Sequence, residues 1–136
     1  MPYESTWTIY GGDTDYSGRI YTPVAIDYVI RSITEYRSGI GFPNSRFEQG
    51  SVVPPARNVE IEYLGAITVD DELTITLTPT VGTTSVTYEF SGQVDGELVF
   101  RGSLTAVYID TETEESVPVP PELVAKHEET AADDPE

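Results

Sequence analysis

One segment of the chain, residues 11–41, constrains the fold more than any other because it carries the single long helical pattern. Gly11 and Gly12 end a preceding strand-like run. Thr22 and Pro23 then have the residue types favoured at an N-cap and at the first helical position. Apolar side chains recur every three or four residues after that, which predicts a helix of about five turns. The predicted buried stripe has one polar member, Arg37, and consists of Ile26, Val29, Ile30, Ile33, Arg37 and Ile40, with Tyr28 and Tyr36 flanking it.

The rest of the domain has the alternating pattern of strands. We predict a first strand over residues 3–10, a loop over 42–55, and strands around 59–63, 73–77, 86–90 and 98–109. Asp95-Gly96 is a strong two-residue hairpin signal. The strand at 98–109 is apolar on both faces near its end, which predicts a central strand or a subunit contact. The predicted order is one strand, one helix and then four hairpin-linked strands, which indicates an α+β domain with an antiparallel sheet. We also expect the helix to be buried on most sides.

Charge is the compositional outlier. The 136 residues include 24 acidic and seven basic side chains, a net charge of −17, and Lys126 is the only lysine. The chain lacks the basic surface that binds nucleic acid. Acidic residues occur throughout as well as in residues 111–136, which favours adaptation to a high-salt cytoplasm over a single acidic tail. Cysteine is absent, which excludes disulfides and thiolate chemistry.

The ends of the chain give further expectations. No run of eighteen apolar residues predicts a membrane span, and the first ten residues lack the pattern of a signal peptide, so we expect a cytoplasmic protein. We place one domain at residues 1–112 and an acidic, proline-containing, partly disordered segment at 113–136. Within that segment, residues 122–129 are predicted to form a short helix and residues 130–136 to be frayed or disordered.

The loop before the helix resembles a known family. Its pattern Gly-Asp-x-Asp-x-x-Gly-x-Ile-Tyr-x-Pro, at residues 12–23, is similar to the hotdog-fold acyl-CoA thioesterases of the 4-hydroxybenzoyl-CoA thioesterase type. Weaker similarities follow in the same order over residues 59–73, 82–88, 95–107 and 117–121. The resemblance implies one hotdog domain, in which a curved antiparallel sheet wraps around one long central helix. Val24 and Ala25 stand where relatives often carry a polar residue, so the acyl class stays open.

The resemblance also implies roles for individual residues. Asp15 matches the catalytic carboxylate, which acts as a nucleophile or as the general base for water. Thr22, seven residues later, matches the helix N-terminus that donates to the oxyanion. Expected substrate contacts come from residues beside this pair and from two possible phosphate ligands, namely Gly18, Tyr21, Pro23, Arg57 and Arg101. The family implies no metal or organic cofactor, an acyl-CoA substrate, and a homodimer or homotetramer with the site between subunits.

Simpler interpretations stand beside these. Asp15 and Asp13 could order the loop through backbone hydrogen bonds, as Asp does in many turns, and Thr22 could be an ordinary N-cap. Arg57 and Arg101 could be surface ion-pair residues. Glu35, on the helix, is expected at the surface or an interface, although another hotdog branch places a catalytic Glu there. His127, the only histidine, lies in the acidic tail, which argues against a histidine-dependent dehydratase. The alternative function is a non-catalytic hotdog module that binds acyl-thioesters or serves as an assembly subunit.

Overall fold

The computed structural model describes residues 2–132, excluding the side chains of residues 130–132. A single 3-10 turn at Gly11–Asp13 connects the first strand to the loop before the first helix. Seven strands and three α-helices follow the order β1 (Tyr3–Thr8), α1 (Thr22–Gly39), α2 (Asn44–Glu48), β2 (Val52–Val53), β3 (Ala56–Tyr63), β4 (Glu72–Val81), β5 (Ser85–Val94), β6 (Glu97–Val107), β7 (Ile109–Asp110) and α3 (Pro121–Ala132).

Five strands form one antiparallel sheet in the order β1-β4-β5-β6-β3, and β2 pairs with β7 in a two-stranded sheet. This confirms the α+β class and the antiparallel sheet. The strand predicted to be central, β6, lies between β5 and β3. The predicted hairpin at Asp95 and Gly96 is also present, with φ angles of 51° and 79°. Both angles are positive, as a type I′ turn requires, so the sequence signal has a direct conformational cause.

The two faces of the large sheet differ in composition. On one face Leu73, Ile75 and Leu77 are fully buried, and α1 packs over them. The opposite face carries mostly threonine, serine and acidic side chains, so it has little apolar surface to bury. The register places Ser5 opposite Ile75 and Phe100 opposite Gly92 on the helix side. Strict alternation along β4 therefore produced the one-sided core that the sequence predicts.

The buried side of α1 differs from the predicted stripe. Tyr28 and Tyr36, expected to flank the stripe, lie in the core, whereas Ile30 is 43% exposed. The buried helix residues are Ala25, Tyr28, Val29, Ser32, Ile33 and Tyr36. The buried side of α1 carries the hydroxyls of Tyr28, Ser32 and Tyr36, because hydrogen-bond partners for these hydroxyls lie beneath that side of the helix. Ser32 Oγ, for example, is 2.7 Å from Ser5 Oγ and accepts a hydrogen bond of 2.9 Å from the Trp7 indole.

The remaining face of α1 is exposed, and it includes an ion pair of 3.0 Å between Asp27 and Arg31. In the single chain α1 therefore lies on one face of the sheet, and the expected burial on most sides is not found. Its 18 residues do match the predicted five turns. The first strand is shorter than predicted and ends at Thr8.

Two predictions for irregular segments are wrong in part. The predicted loop at 42–55 contains the short helix α2, which buries Phe47 against Phe42 and Tyr108, with ring centroids about 6.1 Å apart in each pair. Helix α3 extends beyond the predicted residue 129 to Ala132, so residues 130–132 are helical. Leu123 and His127 on α3 are buried. The helix α3 contacts β4, and His127 packs against Tyr36 of α1. Residues 133–136 of the predicted disordered end lie outside the described residues.

Candidate active site

The loop before α1 is a narrow hairpin fastened to the sheet. Thr14 pairs with Ile20, Asp15 N–H donates to the Arg19 carbonyl at 2.9 Å, and Tyr21 N–H donates to the Asp13 carbonyl at 2.8 Å. Ile20 N–H in turn donates to the carbonyl of Ile67, a buried residue just before β4, at 2.8 Å. Residues 13–15 therefore run directly beside residues 19–21. Asp13 is thereby placed opposite Tyr21 at the start of the helix, and Asp15 lies at the far end of the hairpin.

Asp15 lies at the turn of this hairpin. Its Oδ1 accepts hydrogen bonds from the Ser17 backbone N–H at 2.8 Å and from the Ser17 hydroxyl at 2.6 Å. These two bonds hold the pKa of the Asp15 carboxyl below its usual value, the hydroxyl contributing most, so the group is ionised at neutral pH. Oδ2 accepts no hydrogen bond from residues 2–132. One carboxylate oxygen is thus anchored and the other is open to solvent or substrate.

Gly18 closes the turn, and its N–H donates to the Asp15 carbonyl at 3.0 Å. Its φ of 79° is in the left-handed region, where side chains other than glycine are strained. An added Cβ would meet no atom within 4 Å. The glycine is therefore required by backbone conformation, and the surrounding space is open.

Asp13 has a different role from Asp15, because both hydrogen-bond donors to its carboxylate come from outside the turn of the hairpin. Its Oδ2 accepts the Tyr10 N–H at 2.9 Å and the Tyr28 hydroxyl at 2.6 Å. Burial and the bond to Asp13 raise the pKa of Tyr28 to about 12, so the phenol remains a donor. The Asp13 carboxylate therefore ties the loop to the buried side of α1, as the loop-ordering interpretation predicted.

The start of α1 differs by one residue from the prediction. Tyr21, in an extended conformation, is the N-cap, so Thr22 is the first helical residue and Pro23 the second. Pro23 has no N–H, and Val24 N–H donates to the Tyr21 carbonyl at 2.8 Å. Within residues 2–132 the Thr22 N–H makes no hydrogen bond, as is usual for the first N–H groups of a helix. This leaves one backbone donor at the positive end of the helix dipole.

Two tyrosines surround this helix start. Tyr63, at the end of β3, donates a hydrogen bond from its hydroxyl to the Thr22 carbonyl, and burial raises its pKa. Tyr21 is 55% exposed, so its ring forms no part of the core. Sequence reasoning missed Tyr63, since nothing in its local pattern indicates that β3 ends at the helix start. The predicted contact of Tyr21 with a substrate stays a prediction.

The two arginines suggested as phosphate ligands are not brought together. Arg101 forms an ion pair of 2.9 Å with Glu62, while Arg57 lies at the other end of β3. Arg101 and Glu62 are on the sheet face opposite α1. Arg19 is the cation in the loop itself, and its charge contributes to the low pKa of Asp15. Sequence reasoning overlooked Arg19, although its position four residues after Asp15 in a hairpin could have indicated it.

Other titratable groups lie apart from the loop. Glu35 is exposed and accepts a hydrogen bond from the Tyr3 hydroxyl, on the β1 side of α1. His127 Nδ1 is 2.6 Å from the Tyr36 hydroxyl in the core. No three acidic or histidine side chains in the described part of the chain are grouped to hold a metal ion. Among the described residues no helix combines the length and the apolar character that a membrane span requires.

Comparison with known proteins identifies the class. The family model of the Thioesterase-like superfamily matches residues 11–127, which include the hairpin, α1, every strand after β1 and the first part of α3. The chain therefore belongs to this superfamily. No curated protein sequence matches the chain.

Solved structures share the fold at low sequence identity. A 1,4-dihydroxy-2-naphthoyl-CoA thioesterase from Synechocystis has a TM-score of 0.89 and 16% identity, covering 93% of this chain and 96% of that one. A DHNA-CoA thioesterase from Staphylococcus aureus has a TM-score of 0.88 and 17% identity, covering 96% and 91%. A further Staphylococcus aureus protein, solved in complex with CoA, has a TM-score of 0.92 and 13% identity, covering 100% and 87%.

Proposed function

We propose that the protein is an acyl-CoA thioesterase that hydrolyses an acyl-CoA to the free acid and coenzyme A, without a metal or organic cofactor. One observation carries the proposal: the hairpin that leads directly into α1 presents an ionised Asp15 with one carboxylate oxygen unbonded, and within residues 2–132 the Thr22 N–H at the start of that helix makes no hydrogen bond. A carboxylate and a backbone donor at a positive helix end are the two groups that thioester hydrolysis needs. Membership of the Thioesterase-like superfamily supports the same chemistry.

Asp15 serves in one of two ways. As a nucleophile it attacks the thioester carbonyl carbon, the C–S bond breaks, and the thiolate of coenzyme A takes a proton from solvent. Water then hydrolyses the resulting mixed anhydride and regenerates the carboxylate. As a general base Asp15 instead removes a proton from a water molecule that attacks the carbonyl directly. In both routes the carbonyl oxygen becomes negative, and the Thr22 N–H and the helix dipole stabilise it.

The substrate contacts follow from the same arrangement. Tyr21 and Pro23 flank Thr22, and Gly18 leaves open space beside Asp15. The phosphates of coenzyme A need cations. Of the arginines, Arg19 is nearest to the site, while Arg57 and Arg101 remain candidates in an assembly where another subunit completes the site. The 4-hydroxybenzoyl-CoA type of acyl group is one candidate, and the relatives named above as aryl-CoA thioesterases support testing it.

We further propose a hotdog domain that assembles into at least a homodimer, with cytoplasmic location in a halophile. The exposed edge strand β3 supports the assembly, because Val59 is 40% and Tyr63 37% exposed on the side of the sheet that α1 covers. An edge strand with exposed apolar side chains is a template for pairing with another strand. The net charge of −17 supports the halophilic origin.

The test is release of free thiol from a panel of aliphatic and aromatic acyl-CoAs in molar salt. We compare the wild type with Asp15→Asn, and with Asp95→Asn as a control that removes one negative charge at a hairpin that tolerates Asn. Hydrolysis by the wild type and the control, together with loss in Asp15→Asn, supports the thioesterase. Equal rates in all three proteins would overturn the role of Asp15.

The second candidate is a non-catalytic module that binds acyl-thioesters or acts as an assembly subunit. One observation favours it: both hydrogen bonds to Asp15 come from Ser17, two residues away, which is the ordinary behaviour of Asp in a turn. Measurable binding of a CoA thioester, without thiol release from any member of the panel, would support this candidate.

A further inference from the structure

The start of α1 is held to the rest of the fold by the end of β3 and the residues after it. Tyr63, the last residue of β3, donates a hydrogen bond from its hydroxyl to the Thr22 carbonyl. Four residues later, the Ile67 carbonyl accepts the Ile20 N–H at 2.8 Å. Residues 20–22 therefore lie between two hydrogen bonds to one short segment, which fixes the passage from the hairpin into the helix.

The segment that makes these bonds is itself anchored to the sheet. The Leu64 and Gly65 N–H groups both donate to the Val99 carbonyl of β6, at 2.8 and 3.1 Å. The Tyr63 ring packs edge-on against Phe100, which is fully buried, with ring centroids 6.5 Å apart. The Tyr63 hydroxyl thus extends toward α1 from a ring that rests on the core.

Two peptide groups meet at Thr22, and each has its own hydrogen bond. The group before Thr22 carries the Thr22 N–H, and its carbonyl, on Tyr21, accepts the Val24 N–H at 2.8 Å. The group after Thr22 has no N–H because Pro23 follows, so the carbonyl bonded to Tyr63 is its only hydrogen-bonding atom. Because both groups are held, the fold sets the direction of the Thr22 N–H.

The hydrogen bond from Tyr63 differs from the bonds within the helix. A helical carbonyl accepts the N–H four residues later, which ties it only to its own helix. The bond from Tyr63 ties the Thr22 carbonyl to the sheet, and no other side chain of residues 2–132 hydrogen-bonds to the first turn of α1. Since helix ends fray, this bond bears directly on how firmly the Thr22 N–H is held.

We propose that Tyr63 is a positioning residue for thioester hydrolysis, and that its hydroxyl aligns the Thr22 N–H with the oxyanion that forms at the substrate carbonyl. The inference rests on the proposed function, in which Thr22 supplies that donor. An oxyanion donor acts mainly in the transition state, and a small displacement of such a group costs much of the rate. Tyr63 therefore acts on kcat through Thr22, without contact to the substrate.

The opposite edge of the sheet supplies a matched control. Tyr3 lies on β1, the other edge strand, and its hydroxyl donates a hydrogen bond to Glu35 on the same helix. Its ring packs against Tyr36 at a centroid distance of 5.5 Å. Tyr3→Phe and Tyr63→Phe each remove one tyrosine hydrogen bond to α1 and keep the ring, but only Tyr63 is bonded to the start of the helix.

Steady-state kinetics in molar salt compares the wild type, Tyr63→Phe and Tyr3→Phe with the acyl-CoA that the wild type hydrolyses fastest. We expect Tyr63→Phe to lower kcat about tenfold with KM changed by less than about twofold, because the lost alignment concerns the transition state. Tyr3→Phe should keep the wild-type kcat. An unchanged kcat in Tyr63→Phe, a rise in KM alone, or an equal fall of kcat in both variants would overturn the inference.

NMR relaxation tests the positioning in ligand-free protein, without turnover. The order parameter of the Thr22 amide should fall in Tyr63→Phe and stay at the wild-type value in Tyr3→Phe. Sedimentation of the three proteins checks the assembly, since Tyr63 lies on an edge strand. A Thr22 amide that is equally ordered in all three proteins, or a loss of kcat that accompanies a change in sedimenting mass, would overturn the inference.

The two measurements separate this inference from the proposed function. Hydrolysis by the wild type with an unchanged kcat in Tyr63→Phe supports the thioesterase and overturns the role of Tyr63. Absence of hydrolysis by the wild type for every acyl-CoA in the panel contradicts the thioesterase, and overturns the role of Tyr63 in the reaction with it. In that case the relaxation measurement still shows whether the Tyr63 hydroxyl orders the start of α1.

Discussion

The Tyr28 hydroxyl donates a hydrogen bond of 2.6 Å to Oδ2 of Asp13, so the buried side of α1 is joined directly to the loop that presents Asp15. The same carboxylate oxygen accepts the Tyr10 N–H, two residues after β1 ends. Asp13 therefore connects the segment after β1, the loop and the helix, and it holds the loop against α1.

Removing this phenol should loosen the loop. Tyr28→Phe leaves the ring in the core but takes one hydrogen bond from Asp13, and we expect a loss of about 1–2 kcal/mol in the free energy of unfolding. Thioesterase kcat should fall several-fold without being abolished, because Asp15 itself remains. Chemical unfolding and thiol release measure the two effects. A variant with wild-type stability and wild-type kcat would show that the bond does not position the loop.

The hydroxyls of Tyr108 and Tyr36 should give opposite results when removed. Tyr108→Phe deletes an unpartnered buried hydroxyl, so we expect the free energy of unfolding to rise by about 1 kcal/mol in the absence of ligand. Tyr36→Phe takes away the hydrogen-bond partner of His127 Nδ1, so we expect a loss of about 1–3 kcal/mol. Urea unfolding of the two matched variants compares them. Destabilisation by Tyr108→Phe would indicate that its hydroxyl has a partner in solution.

Burial of His127 should make stability depend on pH. Its buried position lowers its pKa from 6.5 to about 4, so between these values the unfolded chain binds the proton and the folded protein does not. The stability gained by keeping His127 neutral is complete above pH 6.5. As the pH falls toward 4, the free energy of unfolding decreases by about 3 kcal/mol in total.

The difference between wild type and His127→Asn isolates this effect from the many carboxylates. An amide does not titrate and still offers a hydrogen-bonding group to Tyr36, so the stability of the wild type relative to the variant should decrease between pH 6.5 and 4. Urea unfolding at several pH values in constant salt provides the measurement. A difference that does not change with pH would contradict neutral burial of His127.

Salt should raise both stability and activity. With a net charge of −17, the folded chain repels itself and also repels the anionic coenzyme A. At molar salt the Debye length falls to about 3 Å, which screens both effects. We expect the melting temperature and kcat/KM to increase together from salt-free buffer to molar potassium chloride. Maximal activity in salt-free buffer would contradict the proposed adaptation.

The strands of the sheet could be predicted from the sequence more accurately than the buried side of α1. Strict alternation at Leu73, Ile75 and Leu77, and the Asp95-Gly96 turn, depend on local rules, and the structure confirms them. The buried side of α1 could not be predicted by counting apolar residues. Tyr28 and Tyr36 are buried because Asp13 and His127 lie where their hydroxyls can bond, and that proximity depends on the whole fold.

In the candidate site, too, local features could be predicted from the sequence, whereas contacts between distant segments could not. The loop and the helix start were both predicted from local sequence signals, and the pairing of residues 13–15 with 19–21 shows how the loop leads into the helix. That Asp15 and Thr22 act together stays a prediction. The cap was misplaced by one residue, because Tyr21 takes the N-cap conformation without using its side chain. The hydrogen bond from Tyr63 to the Thr22 carbonyl depends on contacts between distant segments, so no local pattern predicts it. The catalytic roles themselves remain predictions.

The most direct test is single-turnover hydrolysis of acyl-CoA by the wild type and Asp15→Asn in molar salt, with Asp95→Asn as the control. The account predicts thiol release by the wild type and Asp95→Asn, and a rate at least about a hundredfold lower in Asp15→Asn. It also predicts that Asp15→Asn keeps the wild-type melting temperature within a few degrees, because the amide can still accept from Ser17. Asp15→Asn that folds normally and hydrolyses at the wild-type rate would contradict the central claim.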